Sequence, residues 1–165
     1  MCNKIKNKIT GFGSIEILVA SAIISVAFVG LMTTATMSLR ILDLSTNRLK
    51  ASFLLEEGLE ATKVIRDNGW TTALGSMDPF QTYYFVFEDF TWKSTSVNTF
   101  IDGVYERKIV VPNRIQREIG TDDIVLSGST YSDLGTRGFT YVVSWSDGKA
   151  TSTESIYGYI MNIFE

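Results

Sequence analysis

One carboxylate, Glu16, stands at the beginning of a long apolar segment, where its charge needs a chemical explanation. No charged residue follows it from Ile17 to Leu39, and Arg40 is the next one. An unpaired carboxylate inside a membrane-spanning segment costs about 2.5 kcal/mol or more. The position therefore predicts that the carboxylate of Glu16 has a functional role, and that it pairs with an opposite charge.

The side chains that most enzymes use for catalysis are scarce in this sequence. There is no histidine and a single cysteine, Cys2, which excludes serine–histidine and cysteine–histidine catalysis and most zinc sites. Asp122, Asp123 and Asp133 suggest calcium, but they lack EF-hand spacing, and a solvated turn is the simpler interpretation. We predict no metal, no cofactor and no enzymatic activity.

Composition limits the architecture and the partners. A chain of 165 residues allows one domain, or one membrane helix with one small domain. The formal net charge is −3 and the isoelectric point is near 5.0, so there is no basic stripe for phosphates. We expect no binding of nucleic acid by the isolated chain.

A basic leader precedes the apolar segment and predicts its orientation. Lys4, Lys6 and Lys8 should hold the N-terminus in the cytoplasm and place the C-terminal part outside. The apolar run of about 23 residues is long enough, as a helix, to cross a bilayer core. We therefore expect a single-pass protein of the cytoplasmic (inner) membrane.

Residues 4–40 resemble the N-terminal segment of the type IV prepilins and pseudopilins, the subunits of type IV pili, type II secretion and competence filaments. The family pattern is a basic leader, Gly, usually Phe, two variable residues, Ile or Val, Glu, and about twenty apolar residues. Gly11, Phe12 and Glu16 match this pattern, whereas Gly13 and Ser14 depart from the commoner Thr-Leu. The rest of the chain agrees only in architecture.

The resemblance implies a role for each matching residue. A membrane prepilin peptidase would cut after Gly11 and expose a new amine on Phe12, which is then N-methylated. That amine would precede Glu16 by about one helical turn, so that the two charges can neutralise each other within a subunit or between neighbours. Pairing between neighbours would set the axial register of a filament.

The resemblance also implies the partners. These are the prepilin peptidase, other pilin or pseudopilin subunits in a helical filament, an inner-membrane assembly platform, and membrane lipid before assembly. Small residues such as Gly30 and Ala27 would allow close helix packing in the filament. The final location would be an extracytoplasmic filament.

Three alternatives remain open on the residues themselves. An ordinary secretory signal could end near Thr33-Thr34-Ala35, although an acidic residue is unusual at its start. Glu16 could simply be favoured by the dipole at a helix N-terminus. The chain could also be a single-pass anchored binding or sensor module, whose helix never leaves the membrane.

The helical pattern continues beyond the apolar segment and becomes amphipathic. The apolar and small residues that recur on one face are Ala51, Leu54, Leu55, Gly58, Ala61, Thr62 and Ile65. Gly58 either permits the close approach of a sheet or is merely tolerated. Asn68-Gly69 supplies a stop signal, so we predict one helix from Phe12 to Asp67.

Strand-like patterns occupy the remainder of the chain. Candidate strands are Tyr83–Phe90, Val104–Val111, Ile124–Leu126, Thr140–Trp145 and Thr151–Asn162, and Asp147-Gly148 predicts a hairpin between the last two. The sequence predicts a pilin-like α+β fold, in which the long helix packs on an antiparallel sheet of about four strands.

The expected organisation has four parts. Residues 1–11 form a removable leader, residues 12–40 a transmembrane and filament-core helix, residues 41–69 its amphipathic continuation, and residues 70–165 an exported β-rich domain. Together these features predict a non-enzymatic structural subunit of a pilus-like, secretion or competence filament.

Overall fold

A computed structural model describes residues 13–146, 148 and 150–163 of the chain. It divides into two compact units, with the boundary between Thr46 and Asn47. One helix, α1, extends over Ser14–Asp67 and contains 54 residues. The predicted long helix is confirmed from Ser14 onward, while Phe12 lies outside the described residues.

The first unit is described from Gly13 to Thr46, and every one of these residues is exposed. No proline interrupts α1, which is uniformly helical through this segment. The apolar side chains here form no core of their own, because a single helix cannot bury its whole circumference. No described residue of the chain buries them.

The second unit begins with the last part of α1, which has one buried face. Its buried residues are Ala51, Leu55, Gly58, Ala61, Thr62 and Ile65, and Leu54 is half-buried. This set confirms the face predicted from helical periodicity. The small side chains on this face let the helix backbone lie close to its neighbours.

The helix ends where the sequence predicts. Asp67 is its last residue, and Gly69 has a φ of 140°, a conformation that side chains other than glycine rarely adopt. A short π-helical turn, Trp70–Leu74, follows. The first strand starts at Thr82, one residue before the predicted start at Tyr83, and ends at Glu88 rather than at Phe90.

The strands form two antiparallel sheets. The strands in chain order are β1 (Thr82–Glu88), β2 (Thr91–Thr95), β3 (Phe100–Ile101), β4 (Tyr105–Val110), β5 (Gln116–Glu118), β6 (Ile124–Val125), β7 (Thr130–Ser132), β8 (Thr136–Ser146) and β9 (Thr151–Met161). The larger sheet has the order β2-β1-β4-β8-β9, with β3 paired to β4, and the smaller has the order β6-β5-β7.

The α+β class and the final hairpin are confirmed, but the sheet is larger than predicted. Strands β8 and β9 pair antiparallel from Thr136↔Met161 to Ser146↔Thr151. Asp147, half of the predicted turn, lies outside the described residues, while Gly148 has a φ of 81°. The larger sheet contains six strands rather than about four.

The core of the second unit lies between the buried face of α1 and the larger sheet. Phe139, Tyr141 and Val143 alternate inward along β8 and are at most 1% exposed. A Cβ atom added to Gly58 would lie 3.4 Å from Cδ of Arg107 and 3.6 Å from Cδ1 of Tyr141. Close approach of the sheet, one of the two interpretations of Gly58, therefore accounts for this glycine.

Candidate functional site

Glu16 caps the beginning of α1. The backbone N–H of Gly13 donates a hydrogen bond to Oε2 of Glu16 at 2.8 Å, and the N–H of Glu16 donates to the carbonyl oxygen of Gly13 at 3.0 Å. This is half of a capping box, in which an acidic side chain at the third helical position satisfies a backbone donor at the cap. Glu16 therefore stabilises the start of the helix by a specific hydrogen bond to Gly13.

The capping bond leaves part of the carboxylate available. Only Oε2 of Glu16 accepts a hydrogen bond from a described residue, and the side chain is exposed. A carboxylate has acceptor sites on both oxygens. Glu16 can therefore cap its own helix and accept a positive charge from elsewhere at the same time.

The predicted cleavage pair, Gly11 and Phe12, lies outside the described residues. The pairing of a Phe12 amine with Glu16 consequently stays a prediction. Of the three site residues predicted from the sequence, Glu16 alone falls in the described part of the chain.

The apolar segment that follows Glu16 is a candidate membrane span. By length and composition α1 contains a stretch that could cross a bilayer, and none of that stretch is buried within the protein. Its large side chains are between half and three-quarters exposed; examples are Ile17, Leu18, Val26, Phe28 and Leu31. Such a continuous apolar surface is far larger than a soluble monomer normally leaves in water.

The hydroxyl groups in the apolar segment are all bonded within the helix. Between Ile17 and Leu39 each serine and threonine donates to a backbone carbonyl three or four residues earlier, at 2.7–3.0 Å; these residues are Ser21, Ser25, Thr33, Thr34, Thr36 and Ser38. An unsatisfied hydroxyl is costly in an apolar medium. The local bonds reduce that cost, so the six hydroxyls are compatible with a lipid or helix-packed environment.

The second unit contains a cavity that the sequence did not reveal. It has a volume of about 460 Å³ and is lined by Trp70, Gly75, Arg114, Leu134 and Arg137, among others. Arg137 is 3% exposed, and its Nη2 donates to the carbonyl oxygen of Gly75 at 2.5 Å. Its Nη1 is buried without a hydrogen-bond partner among the described residues.

Two of the three acidic residues considered for calcium, Asp122 and Asp133, have other partners. Nε of Arg117 lies 2.5 Å from Oδ2 of Asp133, and the carbonyl oxygen of Asp122 accepts a hydrogen bond from Nη1 of Arg117 at 2.7 Å. Burial opposes ionisation of Asp133, but hydrogen bonds from Arg117, Thr136 and Gly135 outweigh it and lower the pKa of this carboxyl. Among the described residues, no group of three or more His, Cys, Asp or Glu side chains could hold a metal ion.

Comparison with known proteins adds no identification. The chain matches no family model, no curated protein and no solved structure. The functional interpretation therefore depends on the residues and on their geometry.

Proposed function

We propose that this chain is a non-enzymatic subunit of a type IV pilus-like, type II secretion or competence filament. In this proposal, a prepilin peptidase cuts after Gly11, the Phe12 amine is methylated, and the apolar part of α1 moves from lipid into a bundle of like helices. The observation that carries the proposal is the exposed apolar helix that begins at a carboxylate.

Each property of that helix supports the proposal. Its apolar side chains are exposed and need a cover, which lipid supplies before assembly and neighbouring helices supply afterwards. Its hydroxyls are already bonded to its own backbone, so the segment can change surroundings without leaving donors unpaired. Glu16 keeps an oxygen available for a neighbour's amine while it caps the helix.

The resemblance supplies the partners and the location. The Gly-Phe pair at residues 11 and 12, with Glu16 following, is the pattern that a prepilin peptidase recognises in this family. We expect insertion in the cytoplasmic membrane with the second unit outside, followed by incorporation into an extracytoplasmic filament through an inner-membrane platform.

Two substitutions of Glu16 separate charge pairing from helix capping. Glutamine can still accept the hydrogen bond from Gly13 but has no charge, whereas alanine loses both properties. If the charge sets the register, Glu16→Gln and Glu16→Ala should both be inserted and cleaved normally, and both should enter filaments at least about tenfold less than the parent. Sheared filament yield, normalised to processed subunit in the membrane, measures this.

The two variants can also contradict the proposal. Parental filament yield for Glu16→Gln together with a defect in Glu16→Ala would reduce Glu16 to a capping residue. Parental yield for both variants would remove Glu16 from assembly altogether.

A second candidate function is a single-pass membrane-anchored extracytoplasmic binding or sensor module. The cavity around Arg114 and Arg137 is the observation that favours it, because buried positive charge in a cavity is typical of ligand sites. An anchor of this kind would keep its original N-terminus and would not require the Gly-Phe pair.

A further inference from the structure

Arg137 differs from the buried Arg107 and the half-buried Arg117 of the second unit in having no carboxylate within ion-pair distance among the described residues. Arg117 pairs with Asp133, and Nη1 of Arg107 lies 2.8 Å from Oε2 of Glu57. No carboxylate of a described residue lies within ion-pair distance of Arg137, although its side chain is almost completely buried. Leaving a buried charge without a counter-charge is expensive.

A second arginine adds to the same positive charge. Arg114 is exposed, lines the same cavity, and its guanidinium forms no ion pair with a described residue. Burial, followed by the charge of Arg114, lowers the pKa of Arg137, and the charges of Asp78 and Tyr83 offset only part of this. The two guanidinium groups thus disfavour each other, and both would be stabilised by one anion placed in the cavity.

The walls of the cavity are suited to hold a small molecule. A volume of about 460 Å³ lies in the range typical of small-molecule sites. The indole of Trp70 forms one apolar wall and is fixed by a hydrogen bond of 3.2 Å from its Nε1 to the carbonyl oxygen of Leu134. The hydrogen bond from Arg137 to Gly75 fixes the second guanidinium in the same way.

We propose that this cavity binds a small oxyanion, a carboxylate or a phosphate. Arg114 at the rim contacts the oxyanion directly, Arg137 contributes its charge from the wall, and Trp70 covers the apolar part of the ligand. Guanidinium groups suit both anions because their planar donors match two oxygens at once. The inference is independent of the filament proposal, since a filament subunit and an anchored module both contain this cavity.

The indole groups of the protein provide a direct test. The full-length chain, labelled with ¹⁵N and held in detergent micelles, is titrated with succinate or inorganic phosphate against sodium chloride at matched ionic strength. We expect a saturable shift of the Trp70 indole signal, with the signals of Trp92 and Trp145 unchanged because neither residue lines the cavity. Saturation by succinate assigns the site to carboxylates, and saturation by phosphate alone assigns it to phosphates.

A matched pair of variants completes the test. Arg114→Gln should weaken binding about tenfold or more, which corresponds to the loss of one charge-assisted hydrogen bond. Arg48→Gln removes an exposed arginine of α1 outside the cavity and should leave binding unchanged. Saturation with neither probe, equal shifts of all three indoles, or equal affinity in Arg114→Gln and the parent would each overturn the proposal. None of these results bears on cleavage or filament assembly.

Discussion

The two units of this chain solve the burial of apolar side chains in opposite ways. Between Gly13 and Thr46 every residue is exposed, so no described residue buries the apolar side chains of this segment. From Asn47 onward, helix and sheet bury a shared core in which Phe139 and Val143 are fully inaccessible. The second unit buries a core of its own, whereas the apolar surface of the first is left exposed and is long enough to be a candidate membrane span.

The clearest way to break this comparison is to truncate one phenylalanine in each unit. Phe139→Ala should destabilise the second unit by about 3–5 kcal/mol, because it leaves a cavity in a packed core. Phe28→Ala, at a position that is 58% exposed, should leave the unfolding of the second unit unchanged. Denaturant unfolding in detergent, followed by tryptophan fluorescence, reports on the second unit alone because all three tryptophans lie there. Equal effects of the two substitutions would contradict the division.

Two glycines of the same helix provide a second, smaller contrast. Gly58→Leu should cost about 1–3 kcal/mol, since its side chain would meet Arg107 and Tyr141. Gly30→Leu should cost the second unit nothing, because no atom lies within 4 Å of the position of its Cβ. The same unfolding assay measures both variants. A stable Gly58→Leu variant would mean that the helix and the sheet are not closely packed there.

The buried hydroxyl of Tyr141 should make the stability of the second unit depend on pH. Burial raises the pKa of its hydroxyl from 10.0 to about 12. Because the hydroxyl ionises near pH 10 in the unfolded chain but only near pH 12 in the folded protein, the stability that it contributes is complete below pH 10 and is lost as the pH rises through 12. The second unit should therefore lose about 1.4 kcal/mol at pH 11 through this residue. Unfolding free energies of the parent and Tyr141→Phe at pH 9 and pH 11 measure the difference, and an identical change in the two proteins would contradict it.

Local patterns were sufficient to predict the helix, its buried face and the final hairpin. Helical spacing placed Ala51, Leu55 and Ile65 on one face, and the structure buries all three. Gly69 ended the helix because it can adopt a positive φ at low cost. These features depend on residues close together in the sequence, so local patterns are enough to predict them.

Features that depend on distant contacts were missed. Strand β2 follows a turn at Asp89 and Phe90, both with a positive φ, which is unusual for a phenylalanine. Strands β5 and β7 have three residues each and no clear alternation. Beyond the strands that the sequence predicted, the larger sheet therefore gained β2 and β3, and the smaller sheet gained β5 and β7.

The cavity that contains Arg114 and Arg137 could not be predicted from the sequence for the same reason. Arg137 follows Thr136 at the start of a strand and carries no unusual local signal. Its lack of a counter-charge becomes evident only when Trp70, Gly75 and Arg114 are brought beside it by the fold. Glu16, in contrast, was identifiable at once because the uncharged stretch from Ile17 to Leu39 that follows it is a property of the sequence itself.

The most direct test of the filament proposal is to identify the N-terminal residue of the protein that cells produce. Mass spectrometry of protein purified from cells that contain a prepilin peptidase gives that residue and its modification. The filament account predicts a chain that begins at N-methylated Phe12, with a Gly11→Leu variant retaining its leader. A parent protein that retains Met1, or one that begins just beyond Ala35, would contradict the account.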